Sequence, residues 1–281
     1  MNSSQSFTWD PDRYLAFTSE RGRPFVDLLA RISAEDPRSV VDLGCGAGHL
    51  TLLLAQRWPG ASVLGVDSSE DMLRAAPTDA GVEFTVGDIR EWQVVPQEPR
   101  NEASRRATSS STTGQVDVLV SNAALQWVPG HLDLLPGLVE SIAPGGWLAF
   151  QVPGNFDQPS HTIRRDLAAE PAYVEHTAGV ATPDAHDAAT YLQVLRGLGC
   201  HVDAWETTYL HVLEGPDPVL TWASGTGARP TLQALPADLR AGFEEELKRR
   251  LREAYPERDG VVVLPFRRIF VVAQVPGSRA A

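Results

Sequence analysis

The stretch that decides the fold is "VVDLGCGAGHLTLLLAQRW", which runs from Val40 to Trp58. An apolar run leads into three closely spaced glycines, Gly44, Gly46 and Gly48, and an apolar helical pattern follows them. Glycine permits the positive φ angles of a tight turn and lets a ligand approach the backbone, at a cost in conformational entropy that a simple turn does not require. The stretch therefore predicts a strand, a ligand-binding loop and a helix.

Strand and helix patterns alternate on both sides of this loop. "PFVDLLARIS" precedes it as a helix, and "ASVLGVD", "VEFTVGD", "VDVLVSNAA" and "GGWLAFQVPG" follow as strands with helical segments between them. Such alternation predicts the α/β class, with a doubly wound, mostly parallel sheet and helices on both faces. "HVDAWETTYLHVL" and "RRIFVVAQV" predict two further strands in the second half of the chain.

Helical segments interrupt the second half of this pattern. We expect a single domain over residues 1–281, with an inserted helical cap formed by residues 155–190 and 214–260. Residues 97–115 contain no large apolar side chain and are rich in Ser, Thr and Arg. That composition predicts a flexible surface insertion.

Bulk composition restricts the class of partner. The chain carries 24 basic and 36 acidic residues, a net charge of −12, which disfavours binding to a nucleic-acid backbone. It has no apolar run long enough to cross a membrane, no signal-peptide pattern, two cysteines and no zinc-ligand spacing. We expect a cytoplasmic, metal-free enzyme with a small-molecule ligand. The sequence does not determine the oligomeric state, for which we expect a monomer.

Polar residues follow the predicted strands at the edge where open α/β sheets bind ligands. Asp67 can accept both hydroxyls of a ribose, Asp88 can accept a hydrogen bond from an exocyclic amine with Ile89 covering the ring, and Asn122 ends the next strand. A helix cap is the alternative role for each aspartate. A nicotinamide-binding loop is disfavoured, because His49 occupies the third glycine position of that fingerprint.

The first stretch, together with "GVDSSEDML", "GDIREW" and "SNAALQWV", resembles the successive motifs of class I S-adenosylmethionine-dependent methyltransferases. "WDPDRYLAFTSERGRPFVDLLARI", "SNAALQWVPGHLDLLP", "WETTYLHVL" and "TGARP" resemble the trans-aconitate 2-methyltransferase family within that class. The resemblance implies a seven-stranded sheet whose last strand is antiparallel and lies beside "HVDAWETTYLHV". It also implies S-adenosyl-L-methionine as cofactor, S-adenosyl-L-homocysteine as product and a small polycarboxylic acid as acceptor. Residues 1–24 are expected to form a lid over the cofactor.

Two sets of candidate site residues follow. The cofactor set comprises Asp42, Gly44, Gly46, Gly48, Asp67, Ser68, Met72, Asp88, Ile89, Asn122, Ala123 and Trp127. The acceptor set comprises Tyr14, Arg21, Arg23, Gln126, Trp127, Gln151, Tyr209, His211, Arg229 and Arg268. Arginine is the residue best suited to hold carboxylates, although most arginines are solvated surface residues.

The expected chemistry needs no acid–base residue. A carboxylate acceptor is already ionised at neutral pH, so catalysis can come from positioning and exclusion of water. The predicted activity is formation of the monomethyl ester of trans-aconitate or a closely related acid. Two alternatives stay open: a methyltransferase acting on another small acid or on a natural-product carboxyl or hydroxyl, and a non-catalytic S-adenosylmethionine-binding protein.

Overall fold

The computed structural model describes residues 22–78, 81–92, 114–225 and 227–277. The predicted lid, residues 1–24, falls outside these ranges except for its last three positions. The predicted insertion, residues 97–115, falls outside them except for its last two. Both hypotheses therefore stay predictions.

Seven strands lie within the described residues. They are β1 (Ser39–Leu43), β2 (Ser62–Asp67), β3 (Val82–Val86), β4 (Val116–Asn122), β5 (Ile142–Pro153), β6 (His201–Leu213) and β7 (Val262–Gln274). The helices that flank and connect them in this part of the chain are α1 (Arg23–Leu29), α2 (Thr51–Arg57), α3 (Glu70–Arg74), α4 (Leu135–Glu140), α5 (Pro159–Ala168), α6 (Val174–Thr177), α7 (Ala188–Gly197), α8 (Pro218–Ser224), α9 (Arg229–Ala234) and α10 (Ala237–Ala254).

The strands form one sheet in the order β3-β2-β1-β4-β5-β7-β6. The pairs β1–β2, β1–β4 and β2–β3 are parallel. Strand β7 runs antiparallel to β5, because Gly145 N–H donates to Val275 C=O at one end of the pair and Gly154 N–H donates to Arg267 C=O at the other. The predicted α/β class, the doubly wound sheet and the position of the last strand beside β6 are confirmed.

One predicted helix differs in its bounds. The sequence predicts a helix over "LDLLPGLVESIAP", but in the structure this stretch begins within a 3₁₀ helix (His131–Leu134), continues as α4, and its last three residues belong to β5, which begins at Ile142. Strand β5 therefore starts earlier than "GGWLAFQVPG" predicts. The proline within the segment lacks a backbone N–H, which limits the α-helical hydrogen bonding on its N-terminal side.

The chain divides into two compact units. One contains the residues up to Asn122, Gly137–Phe150 and the residues from Val272 onward, and the other contains Ala123–Pro136 and Gln151–Val271. The first unit holds β1 to β4 and the glycine loop. The second holds the helices of the predicted cap segments, and α5, α8, α9 and α10 contribute to one apolar core there.

No helix in the described part of the chain is long and apolar enough to cross a membrane. Among the same residues, no group of His, Cys, Asp and Glu side chains is arranged to hold a metal ion.

Candidate functional site

The glycine loop after β1 takes the conformation that its composition predicts. Gly44, Gly46 and Gly48 all have positive φ, at 76°, 58° and 71°. A side chain at Gly48 would collide with the ring of Phe84, whereas a Cβ atom at Gly46 would meet nothing within 4 Å among the described residues. Gly48 is therefore required for packing, and Gly46 borders open space against which a ligand can lie.

Asp67, at the end of β2, supports this loop. Its Oδ2 accepts a hydrogen bond of 2.8 Å from Gly46 N–H, and its Oδ1 accepts one of 2.9 Å from Ser69 N–H. An ionised carboxylate has about four acceptor positions, so two bonds leave capacity for ligand hydroxyls. Both roles considered for Asp67 are compatible: it orders the start of α3 and can still accept from a ribose.

Asp42 is buried beneath the loop. Thr51 Oγ1 donates a hydrogen bond of 2.7 Å to Asp42 Oδ2, and Oδ1 has no partner among the described residues. Burial raises the pKa of Asp42 to about 7; the Thr51 hydrogen bond opposes this rise, and the Asp67 charge adds to it. A buried acceptor without a partner indicates a missing donor, such as a ligand group or a water molecule.

The remaining cofactor candidates of this region are more exposed. Asp88 accepts from Arg90 N–H at 2.8 Å and binds the Arg90 guanidinium with both oxygens, and these hydrogen bonds lower its pKa. Ser68 is exposed, Met72 is 41% exposed, and Ile89 is half-buried. To accept a hydrogen bond from an exocyclic amine, the Asp88 carboxylate must either bind Arg90 and the amine at the same time or give up its hydrogen bonds to Arg90.

In the second unit, β5 and β7 present a buried polar pair. Arg268 Nη1 donates to Gln151 Oε1 at 3.3 Å, and both residues are almost fully buried. The Arg268 guanidinium carbon lies 4.5 Å from the ring centroid of Phe266, a cation–π geometry. The pair thus combines a planar cation, an amide and an aromatic surface on one face of the sheet.

Two candidates on β6 join this face. Tyr209 and His211 are each 4% exposed, with their rings stacked at a centroid distance of 6.5 Å. The His211 ring lies 5.5 Å from the ring of Phe266 and 4.5 Å from that of Trp222 in α8. The structure therefore brings Gln151, Arg268, Tyr209 and His211 together; we call these four residues and Phe266 the arginine cluster.

Gln126 and Trp127 lie in a 3₁₀ helix shortly after β4. Gln126 is buried, its Nε2 donates to Ala123 C=O at 2.5 Å, and its Oε1 has no partner among the described residues. Ala123 itself has a positive φ of 54°, and Trp127 is 39% exposed. Half-buried Asn122 ends β4 just before this turn.

Comparison with known proteins decides the family. A family model described as a methyltransferase domain matches residues 17–203. The trans-aconitate 2-methyltransferase of Rhodococcus jostii is 48% identical to this chain, and that of Streptomyces avermitilis is 46% identical. Each alignment covers 95% of this chain, with 99% and 96% of the respective relative. The chain belongs to the trans-aconitate 2-methyltransferase family.

A solved structure agrees on the fold. The YcgJ protein of Bacillus subtilis matches 92% of this chain and all of its own, with a TM-score of 0.56 and 13% identity. This member of the trans-aconitate 2-methyltransferase family thus has the class I methyltransferase fold, as the motifs predicted.

Two of the predicted arginines are exposed at the first residues of helices. Arg23 is at the start of α1, where its side chain is 67% exposed and lies 4.0 Å from Asp27. Arg229 begins α9 and is exposed, whereas the next residues on the inner side of that helix are buried. The helical register turns both side chains outward, and their role in holding the acceptor stays a prediction. Tyr14 and Arg21 lie outside the described residues.

Asn155, which the sequence did not single out, is a further candidate in this member of the trans-aconitate 2-methyltransferase family. Its side chain is 1% exposed, and neither the amide nitrogen nor the amide oxygen has a partner among the described residues. Strand β5 ends at Pro153 and Gly154 N–H still pairs with Arg267 C=O of β7, so Asn155 lies directly beyond the end of this pairing, four residues after Gln151. Its signal in the sequence is only "PGN" after a strand, which is also typical of a turn.

Asn155→Leu is expected to separate a ligand-binding role from a structural one. Replacing an unpaired buried amide with an apolar group of similar size removes a desolvation cost, so the free energy of unfolding should not fall. Loss of the hydrogen bonds to ligand should lower kcat/KM by about tenfold or more, since a hydrogen bond to a charged group contributes ~1.5–3 kcal/mol. Urea unfolding and steady-state kinetics measure the two quantities; lower stability with unchanged kinetics would contradict the role.

Asp42→Asn is expected to change how stability depends on pH. Because the pKa of Asp42 is raised to about 7 in the folded state, the folded protein binds more protons than the unfolded chain between the ordinary carboxyl pKa and pH 7. The contribution of protonated Asp42 to the free energy of unfolding therefore falls as pH rises from the ordinary carboxyl pKa to pH 7. The asparagine at this position does not ionise. The free energy of unfolding of the variant should therefore rise by on the order of 2 kcal/mol relative to that of the parent between pH 5 and pH 8. Parallel stability curves from urea unfolding would contradict this.

Proposed function

We propose that this protein is an S-adenosylmethionine-dependent methyltransferase that forms the monomethyl ester of trans-aconitate or of a closely related small polycarboxylic acid. The observation that carries the proposal is the buried Arg268, held against Gln151 and Phe266 on the inner face of the second unit. A buried guanidinium suits a carboxylate, with which it can form two parallel charge-assisted hydrogen bonds. The relatives at 46–48% identity carry the corresponding name.

The residues around the glycine loop fit the cofactor. Gly46 leaves open space at the backbone, Asp67 has acceptor capacity for ribose hydroxyls, and Asp42 Oδ1 is a buried acceptor without a partner among the described residues. When bound, S-adenosylmethionine supplies a methyl group activated by its sulfonium charge. Gly44, Gly46 and Asp67 would hold it, with the other predicted cofactor residues of the same unit around them.

The acceptor side requires positioning more than proton transfer. The acceptor carboxylate is ionised at neutral pH, since carboxyl pKa values lie near 4, so no general base is needed. Arg268 and Gln151 would fix its orientation, and the rings of Phe266, Tyr209 and His211 would exclude water from it. Holding a reactant in one orientation removes much of the entropic barrier to a displacement.

We also infer that the enzyme works in the cytoplasm. Its cysteines, Cys45 and Cys200, are both free thiols. Burial raises the pKa of each, which keeps both thiols protonated and unreactive at neutral pH. Free structural thiols of this kind suit a reducing compartment.

Product analysis tests the function. Purified protein is incubated with S-adenosylmethionine and trans-aconitate, and the organic acids are analysed by mass spectrometry. We expect a product heavier by one methylene unit, together with S-adenosylhomocysteine in equal amount. A parallel panel of other small acids and hydroxyl compounds tests the alternative acceptors. A methylated product from one of those, and none from trans-aconitate, would overturn the proposed acceptor.

A further inference from the structure

A second buried arginine lies apart from the arginine cluster. Arg164, in α5, is 6% exposed, and its Nη1 donates a hydrogen bond of 2.6 Å to Thr231 Oγ1 in α9. In the described part of the chain, no carboxylate oxygen lies within 4.0 Å of its guanidinium. A buried cation without a counterion is costly, so folded proteins pair such groups with anions.

Arg164 borders a cavity. The cavity is narrow and opens to solvent, and its lining includes Arg164, His161, Trp222 and Phe266. Phe266 also carries the Arg268 guanidinium at 4.5 Å, and Trp222 contacts His211. The cavity therefore adjoins the arginine cluster: Phe266 lines the cavity and belongs to the cluster, and Trp222 lines the cavity and contacts His211.

His161 supplies a neutral partner in the same cavity. Its ring packs edge-on against Phe156 at 5.0 Å, and a side chain at Gly227 would collide with it. Burial and the neighbouring charges of Arg164 and Arg165 lower its pKa to about 4, so the ring is uncharged at neutral pH. An uncharged imidazole can donate one hydrogen bond to an anion.

We propose that Arg164 and His161 form a second carboxylate subsite, which binds a carboxylate of the acceptor other than the one that is esterified. The proposal rests on the proposed function and deepens it, because two cationic positions select polycarboxylic acids over monocarboxylic acids. Each buried polar group of the subsite is left unpaired when an acid lacks the corresponding carboxylate. The subsite thus determines acceptor specificity without contacting the methyl group.

The test compares Arg164→Gln with Arg165→Gln. Arg165 is the next residue in α5, with a side chain that is 58% exposed and 3.7 Å from Asp166, so it is a matched control. Each protein is assayed with trans-aconitate and with three dicarboxylic acids that each lack one of its carboxylates: itaconate, glutaconate and methylbutenedioate. Arg164→Gln should raise KM for trans-aconitate by about tenfold or more, since the lost bonds are charge-assisted. Its KM for one of the three dicarboxylates should stay unchanged.

The control variant should keep the parent's KM values for all four acids. An equal loss by Arg164→Gln toward every acid, or no loss toward any, would overturn the subsite. If Arg164→Gln does not fold, Arg164→Lys retains the charge without the planar fork and should show the same selective rise in KM. Calorimetric binding of trans-aconitate needs no turnover. Unchanged affinity in the Arg164 variants therefore overturns the subsite, whereas absence of ester from the parent protein overturns the proposed function.

Discussion

Arg268→Gln is expected to lower kcat/KM for trans-aconitate by about 100-fold. Removing one partner of a buried, hydrogen-bonded charge pair costs ~2–5 kcal/mol, and each 1.36 kcal/mol corresponds to a factor of ten in rate. The variant also loses the cation–π contact with Phe266, whose ring centroid lies 4.5 Å from the guanidinium carbon, and this contact bears on stability and on the orientation of the side chain. Because the residue acts on the acceptor, the affinity for S-adenosylhomocysteine should stay within about twofold of the parent value.

Arg267→Gln is the matched control for that variant. Arg267 is the neighbouring residue of β7, but strand alternation turns it to the opposite face, where it forms an ion pair with Glu206 at 2.6 Å. That pair is about one-third exposed, so its loss should cost no more than ~1 kcal/mol of stability and change kcat/KM by less than about threefold. Equal losses of activity in the two variants would contradict a carboxylate-binding role for Arg268.

Asp67→Ala is expected to weaken binding of S-adenosylhomocysteine by about 50-fold. Asp67 accepts backbone hydrogen bonds from Gly46 and Ser69, so its removal loosens the glycine loop and also deletes the acceptor for ribose hydroxyls. Charge-assisted hydrogen bonds contribute ~1.5–3 kcal/mol each, and tenfold in affinity corresponds to ~1.4 kcal/mol. Isothermal titration calorimetry measures the dissociation constant directly.

Asp71→Ala controls for the loss of negative charge in this region. Asp71 lies in α3, is 83% exposed and pairs with Arg74 one helical turn away. Exposed pairs of this kind contribute little, so cofactor affinity should not change measurably. An equal loss of affinity in Asp71→Ala and Asp67→Ala would show that net charge, and not the acceptor at the end of β2, determines cofactor binding.

The sequence predicts the first unit well because its signals are local. A run of β-branched residues, glycines with positive φ and a serine N-cap each act within a few residues. Gly46 borders space free of the described residues, and Ser69 caps α3, its Oγ accepting from Met72 N–H at 3.3 Å, as those signals indicate. The role of Phe84, which packs against Gly48 and Gly65, needs the pairing of β2 with β3 and cannot be inferred from either strand alone.

The acceptor candidates were predictable only where they lie on strands. Alternation fixes the face of a strand residue, and Gln151 and Arg268 do lie on one face. In the helical cap, the burial of a residue depends on how several helices pack, which short motifs do not encode. Arg229 was therefore expected inside and is exposed, whereas Arg164, in an ordinary amphipathic pattern, is buried. Asn155 was missed because the absence of hydrogen-bond partners is visible only in three dimensions.

The most direct test of the account is a crystal structure of the protein with S-adenosylhomocysteine and trans-aconitate. The account predicts adenosyl density against Gly46, with ribose hydroxyls on Asp67, and a carboxylate of the acid within hydrogen-bond distance of the Arg268 guanidinium. An acid bound away from Arg268, with the guanidinium still held by Gln151 and Phe266 alone, would contradict it.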